Sequence, residues 1–279
     1  MQAFLRTMLL VLSAATIAPP LQAQEILKTA VDGTYAPHAM PKMSGGVEGF
    51  NIDLSDAIAA KLNKKITIDS AQFSGLIPAL QAGAYDFVIA PVTATKERAE
   101  SVLFTEGYLN TDFQFLLRKD SPGFAALEEL KGKVISVNKG SAYDQWARDL
   151  APKIGWSVES FGTQADAVQA VIAGRAYANV AGNTAVAWAA KNNPQLKLGY
   201  LHSTGLVWAI ALRKNSIALR DTLDEVLECL KTDGTMAKLH QKWFGTIPAA
   251  GSAAVTAAPG HGVPGFAGYD PATHEAKCS

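Results

Sequence analysis

Apolar residues along this chain fall into two kinds of pattern, short continuous runs and stripes at helical spacing. Ile26–Val31 and residues 65–68 and 87–90 are short runs of the sort that form strands, and 87–90 suits a parallel strand covered on both faces. Between them, residues 51–62 put Ile52, Leu54, Ala57 and Ile58 on one helical face. Ile77, Leu80 and Gln81 recur at helical spacing until Gly83 stops the helix. An extended run at 113–118 leads out of this first unit. A second unit repeats the order, with a strand at 134–137, a helix at 143–150, and the strand Ser157–Phe161. A helix at 164–173 follows, with Ala167, Val168 and Val171 inward, then a strand at 177–181. Residues 205–212 read as an apolar return strand and 216–231 as an amphipathic helix, ahead of a closing segment at 233–245. Strands alternating with helices predict an α/β fold with parallel sheets. From Pro248 onward Ala, Gly, Pro and small polar residues replace the periodicity, which predicts an irregular tail over 249–279.

The first residues follow a different logic. Arg6, an apolar core over 8–18, and Leu21-Gln22-Ala23 make residues 1–23 a secretory signal peptide, because the apolar run is too short to span a bilayer. The mature chain is therefore expected to be exported to a periplasm. The full chain has 25 basic and 25 acidic residues, and loss of Arg6 with the signal leaves no basic excess, which argues against a nucleic-acid partner. Two cysteines occur, Cys229 and Cys278. In an oxidising compartment such a pair is a disulfide candidate. The alternative is two free thiols. No Cys/His cluster has zinc-like spacing, His261 and His274 in the tail included, so no metal or other cofactor is expected.

Candidate chemistry lies after the run at 87–90. Thr93 and Thr95 follow it, and Thr95 is a good N-cap for a helix whose first turn holds Lys96 and Arg98. Cations there oppose the helix dipole. An anion at the helix start would remove the conflict, drawing in the guanidinium, threonine hydroxyls and free N–H groups. The plainer alternative is a pair of solvated surface charges.

Several local patterns then act together: Asp32-Gly33-Thr34-Tyr35-Ala36-Pro37, Gly49-Phe50-Asn51-Ile52-Asp53-Leu54, Phe73-Ser74-Gly75-Leu76, Thr93-Ala94-Thr95-Lys96-Glu97-Arg98, and Lys242-Trp243-Phe244-Gly245 near the end. In this order they resemble the bacterial periplasmic solute-binding proteins of family 3, which serve polar amino-acid importers of the ATP-binding-cassette type. The resemblance implies a two-lobed periplasmic binding protein fold of type II, with two parallel-core sheets joined by two crossing strands. The crossings are expected near 112–115 and 206–209. Lobe 1 would comprise 24–113 and 207–248, and lobe 2 residues 114–206. The implied function is delivery of a small carboxylate-bearing solute to an inner-membrane permease by a monomeric binding protein.

By the same resemblance Arg98 holds the ligand carboxylate with help from Thr93, and Tyr35 packs on the ligand. Asp32 stands at the mouth of the site and Phe73 on its wall. Asn138 selects the ligand side chain, and the loop Gly140-Ser141-Ala142 offers N–H groups. Two positions depart from the pattern. Gly182 stands where relatives carry an aspartate that binds the ligand's α-ammonium, and Pro91 where a glycine or serine is usual. Thr93, Asp32 or the carbonyl of Pro91 could substitute for the aspartate, and Asn179, Asn183 and Tyr177 are polar neighbours that could do the same. An enzyme on the same fold, dehydratase-like, and a ligand sensor are the competing readings. No cleft position matched in the second lobe is a glutamate, which argues against the enzyme. No membrane span after the second lobe supports a sensor.

Overall fold

A computed structural model describes residues 25–278. The expected signal peptide lies outside the described residues. In chain order the elements are β1 (Ile26–Val31), β2 (Met40–Pro41), β3 (Val47–Glu48), α1 (Phe50–Leu62), β4 (Lys65–Ser70), α2 (Phe73–Gln81), β5 (Phe87–Thr93), α3 (Lys96–Ala99), β6 (Val102–Phe104) and β7 (Leu109–Arg118). There follow β8 (Val134–Asn138), α4 (Ala142–Ile154), β9 (Ser157–Phe161), α5 (Gln164–Ile172), β10 (Ala178–Gly182), α6 (Asn183–Asn192), β11 (Leu196–Arg213), α7 (Ile217–Thr232) and α8 (Thr235–Phe244).

Two long strands organise the molecule. β7 and the 18-residue β11 run antiparallel and carry neighbours at both ends, in the order β5-β11-β7-β10-β8-β9, with β6 also on β11. The last half of β11 pairs with β5 and β6, whereas the last half of β7 pairs with β10, so both strands cross from one lobe to the other. Asp112 ties the crossings together by accepting from Thr204 N (2.9 Å) and Ser203 Oγ (3.3 Å). Beyond β10 the pairings to β8 and β9 are parallel, as the alternating pattern predicts. On the other side β1 pairs parallel with β4. A side chain joins β1 to β5: the buried Thr29 hydroxyl donates to Phe87 O (2.9 Å) and accepts from Ile89 N (3.0 Å).

Every residue of β5 is buried, in keeping with a strand covered on both faces. Pro91 sits in the part of this strand where the register with β11 shifts, between the pairs Ala209–Val92 and Ala211–Val88. A residue without an N–H is tolerated where the ladder is interrupted.

α1 begins at Gly49, whose φ of 148° lies in the region that side chains avoid. A Cβ there would lie 2.3 Å from His38 O. The glycine lets the 37–38 loop pack onto the helix start, where Pro37 O and His38 O accept from Phe50 N and Asn51 N. That loop carries His38 to the lobe boundary.

The tail has no helix or strand of its own, apart from an isolated bridge between His261 and Asp270, yet it packs against the first lobe. Val263 and Phe266 rest on a core that includes Leu76, Leu80, Val88 and Ala211. Below the tail, Lys231 and Glu106 form a buried ion pair at 2.8 Å. Lys231 Nζ also donates to Thr256 O, and Glu106 and Asp224 accept from Ala258 N and Gly262 N. Cys229 and Cys278 are joined in a disulfide with Cα atoms 5.3 Å apart, closing the tail onto α7.

Candidate functional site

The site forms where residues at the ends of strands in the two lobes meet. Thr95 caps α3 as its position predicts, its hydroxyl accepting from Arg98 N at 3.2 Å. This turns the Arg98 side chain back along the end of β5. Nη1 donates to Thr93 O at 2.9 Å and Nη2 donates across the lobe boundary to Gly140 O at 2.9 Å. The guanidinium lies 5.6 Å from the centre of the Phe73 ring. Among the described residues no carboxylate lies within ion-pair distance of Arg98. Loss of solvent holds its pKa below the ordinary arginine value.

Further polar contacts join the lobes, a hydrogen bond between the Tyr35 and Tyr143 side chains among them. Asn138 Nδ2 donates to Asp32 Oδ2 at 2.8 Å, Gly182 N donates to the Tyr35 hydroxyl at 3.1 Å, and His38 Nε2 meets Thr184 Oγ1 at 2.8 Å. Tyr35 also stacks against Tyr143, with centroids 6.5 Å apart. Burial raises the pKa of both tyrosines well above the ordinary phenol value, so both stay neutral. Burial also pushes His38 down to about 3, against the hydrogen bond to Asn51 that favours the charged form. Its ring is therefore neutral at physiological pH.

The expected site residues are thus gathered at one boundary, with different partners from those anticipated. Asp32 Oδ1 accepts from Thr34 N (3.0 Å) and Oγ1 (2.7 Å), which leaves Asn138 as its partner across the cleft. The Gly140 N–H is taken by Asp144 Oδ2 at 2.9 Å, and Ser141 is occupied as the N-cap of α4, accepting from Asp144 N. Pro91 lies within β5, and Ala142 starts α4. The three polar neighbours of Gly182 in sequence are engaged elsewhere. Asn179 is bonded to Gln164 and Ser136 inside the second lobe, Asn183 Oδ1 accepts from Asp112 N at the crossing, and Tyr177 donates to Pro122 O.

Sequence reasoning missed Trp208, Tyr143 and His38. Trp208 is fully buried on β11, donates its indole N–H to Thr93 Oγ1 at 3.1 Å, and meets His38 edge-on with centroids 4.6 Å apart. An apolar residue in an apolar strand reads as core, so the sequence carries no signal for its place. Beside Arg98 a cavity of about 330 Å³ opens between the lobes. Arg98, Phe113, Ser141, Ala142, Trp146 and Leu206 line it.

Comparison with known proteins places the chain in a family. Residues 27–246 match the family model described as bacterial extracellular solute-binding proteins, family 3. The chain belongs to this family. A relative from Escherichia coli, ABC transporter arginine-binding protein 1, is 31% identical over 80% of this chain and 92% of its own length. The arginine-binding extracellular protein ArtP of Bacillus subtilis is 30% identical, over 73% of this chain and 80% of its own. Among solved structures, an ancestral arginine-binding protein bound to arginine superposes with a TM-score of 0.75 at 35% identity, covering 79% of this chain and 98% of the other. An ancestral amino-acid-binding protein described as a precursor of cyclohexadienyl dehydratase gives 0.74 at 31% identity, over 78% and 95%. As a family 3 member the chain has the type II two-lobed fold, and it is a substrate-binding protein of an importer for amino acids or amino-acid-like solutes.

Proposed function

We propose that this family 3 protein works in the periplasm after loss of residues 1–23, as a monomer that hands its solute to an inner-membrane permease. The solute is a small carboxylate held at Arg98, with lobe 1 formed by 24–113 and 207–248 and lobe 2 by 114–206. Arg98 carries the reading. It is a partly buried cation that reaches both lobes and, among the described residues, has no carboxylate within ion-pair distance. A planar guanidinium takes a carboxylate through two parallel hydrogen bonds, which an ammonium cannot reproduce. The adjoining cavity, with Ser141, Ala142 and Phe113 in its wall, provides room for the rest of the molecule. Tyr35, Thr93, Asp32, Asn138 and Phe73 shape the surrounding boundary.

We further propose that the chain binds and does not turn over its solute. Proton transfer needs a free acid or base at the reacting group. The buried carboxylate on the lobe-1 side of the boundary, Asp32, is engaged by three donors. The test is a thermal-shift screen of amino acids, their derivatives and simple carboxylates, on the wild type and on Arg98→Ala. A solute at about a hundred times its dissociation constant adds roughly 2.7 kcal/mol of stability. A shift in the wild type that Arg98→Ala abolishes supports the reading, and equal shifts in both proteins contradict it.

A further inference from the structure

Gly182 ends β10 on the second lobe and faces Trp208 of the first. A Cβ built on Gly182 would lie 2.3 Å from Trp208 Cζ2, 2.7 Å from Cη2 and 2.9 Å from the Tyr35 hydroxyl. The distances forbid any side chain at 182 while the indole stays in place. The indole is fixed there. It is fully buried, bonded to Thr93 Oγ1, and packed edge-on against both His38 and Tyr35.

An α-ammonium lies one carbon away from its carboxylate, so a carboxylate on Arg98 leaves its ammonium among the groups next to Arg98. Thr93 O already takes a guanidinium N–H, and Thr93 Oγ1 takes the indole N–H. The Tyr35 hydroxyl takes Gly182 N. Asp144, in the cavity wall, accepts from Gly140 N, Arg148 and Ser160. Glu97 and Asp149 are exposed at the cavity rim, where water screens them. The buried Asp32 carboxylate is engaged by Thr34 N, Thr34 Oγ1 and Asn138 Nδ2. A cation enclosed where the nearby acceptors already serve other donors is disfavoured.

Resting on the carboxylate reading above, we propose that Trp208 takes the volume in which an ammonium-binding side chain would stand. The solute is therefore a carboxylate without a free α-ammonium, such as a 2-oxo acid, a 2-hydroxy acid or an N-acylated amino acid. Trp208 and Gly182 act together as the specificity pair: the missing side chain on one lobe makes room for the indole from the other.

The experiment uses matched sets: an L-amino acid, its 2-oxo analogue, its N-acetyl derivative, and the carboxamide of each. Binding to the full mature chain is measured by calorimetry for the wild type and for the double variant Gly182→Asp/Trp208→Leu. In the wild type, the 2-oxo or N-acetyl member should bind at least about tenfold tighter than the free amino acid. In the double variant, which exchanges the indole for a carboxylate, free amino acids should gain at least about tenfold. Wild-type affinity for a free amino acid equal to or above that for its 2-oxo and N-acetyl partners overturns the proposal. A folded double variant with no gain for amino acids overturns it as well. Carboxamides that bind as well as the acids count against the carboxylate reading itself, which separates that failure from this one.

Discussion

At the scale of single residues, His38 gives the sharpest expectation. Its ring is held between Asn51 Oδ1 (2.9 Å) and Thr184 Oγ1 (2.8 Å), one partner in each lobe, and burial pushes its pKa from 6.5 down to about 3. Near pH 7 the ring is mostly neutral both folded and unfolded. Below pH 6.5 the unfolded chain takes up a proton that the folded chain refuses until about pH 3, so stability is lost as the pH falls through that window. Asp224, pushed up to about 8 by burial, acts in the opposite sense, because its folded form keeps a proton that the unfolded form releases above about 4. A comparison of variants removes that background. Melting temperatures between pH 4 and pH 7 should fall less steeply toward acid in His38→Gln than in the wild type; parallel slopes would refute the assignment. Trp208 shows what single residues conceal in a sequence. Its role depends on the absence of a side chain at Gly182, on the other lobe, and no local pattern joins the two.

At the scale of elements, the sequence was read best where burial and period agree. β1 and β9 fall at the expected bounds, and β5, α5 and α7 within a few residues of them. The short strands β2, β3 and β6 escaped, as did α6 and the first half of β11. α6 starts from Gly182 without a side-chain cap, and its run of small residues has no strong apolar stripe. The first half of β11, from Leu196, alternates between half-buried and exposed positions and shifts register between Leu198 and Leu201, so it lacks the continuous apolar signal of its second half. The start of α1 offers a direct test of element-level packing. Gly49→Ala would place a methyl group 2.3 Å from His38 O at a positive φ. Backbone strain of this kind costs about 1–3 kcal/mol, before the clash is added. Chemical denaturation should show a loss of at least that size, whereas an unchanged midpoint would mean that the 37–38 loop yields freely.

At the scale of the whole molecule, the tail is irregular as expected, and the cysteine pair already pointed to its folding back over the first lobe; the polar contacts beneath it were not legible. Cys229 and Cys278 were legible as a disulfide pair, whereas Glu106, Asp224 and Lys231, which also hold the tail, lie far from it in sequence. The disulfide closes a separation of 49 residues, worth about 4 kcal/mol in the chain-entropy model. Intact mass without reductant should be two hydrogens below the reduced value, and Cys229→Ser/Cys278→Ser should melt at a lower temperature. Two alkylatable thiols in protein taken fresh from the periplasm would contradict the bridge. The two-lobed plan itself was legible, because strand–helix alternation and the order of short motifs both pointed to it. The partners of Asp32, Asn138 and Thr93 were not, since each is fixed by contacts that form between distant segments. The central claim is that a solute carboxylate is held at Arg98 between the lobes. Calorimetric titration of one identified solute and its carboxamide, against wild type and Arg98→Ala, tests it most directly. Loss of a charge-assisted bidentate pair should weaken binding of the acid about a hundredfold or more in the variant, with the carboxamide weak for both proteins. Equal affinity of wild type and Arg98→Ala for the acid would contradict the account.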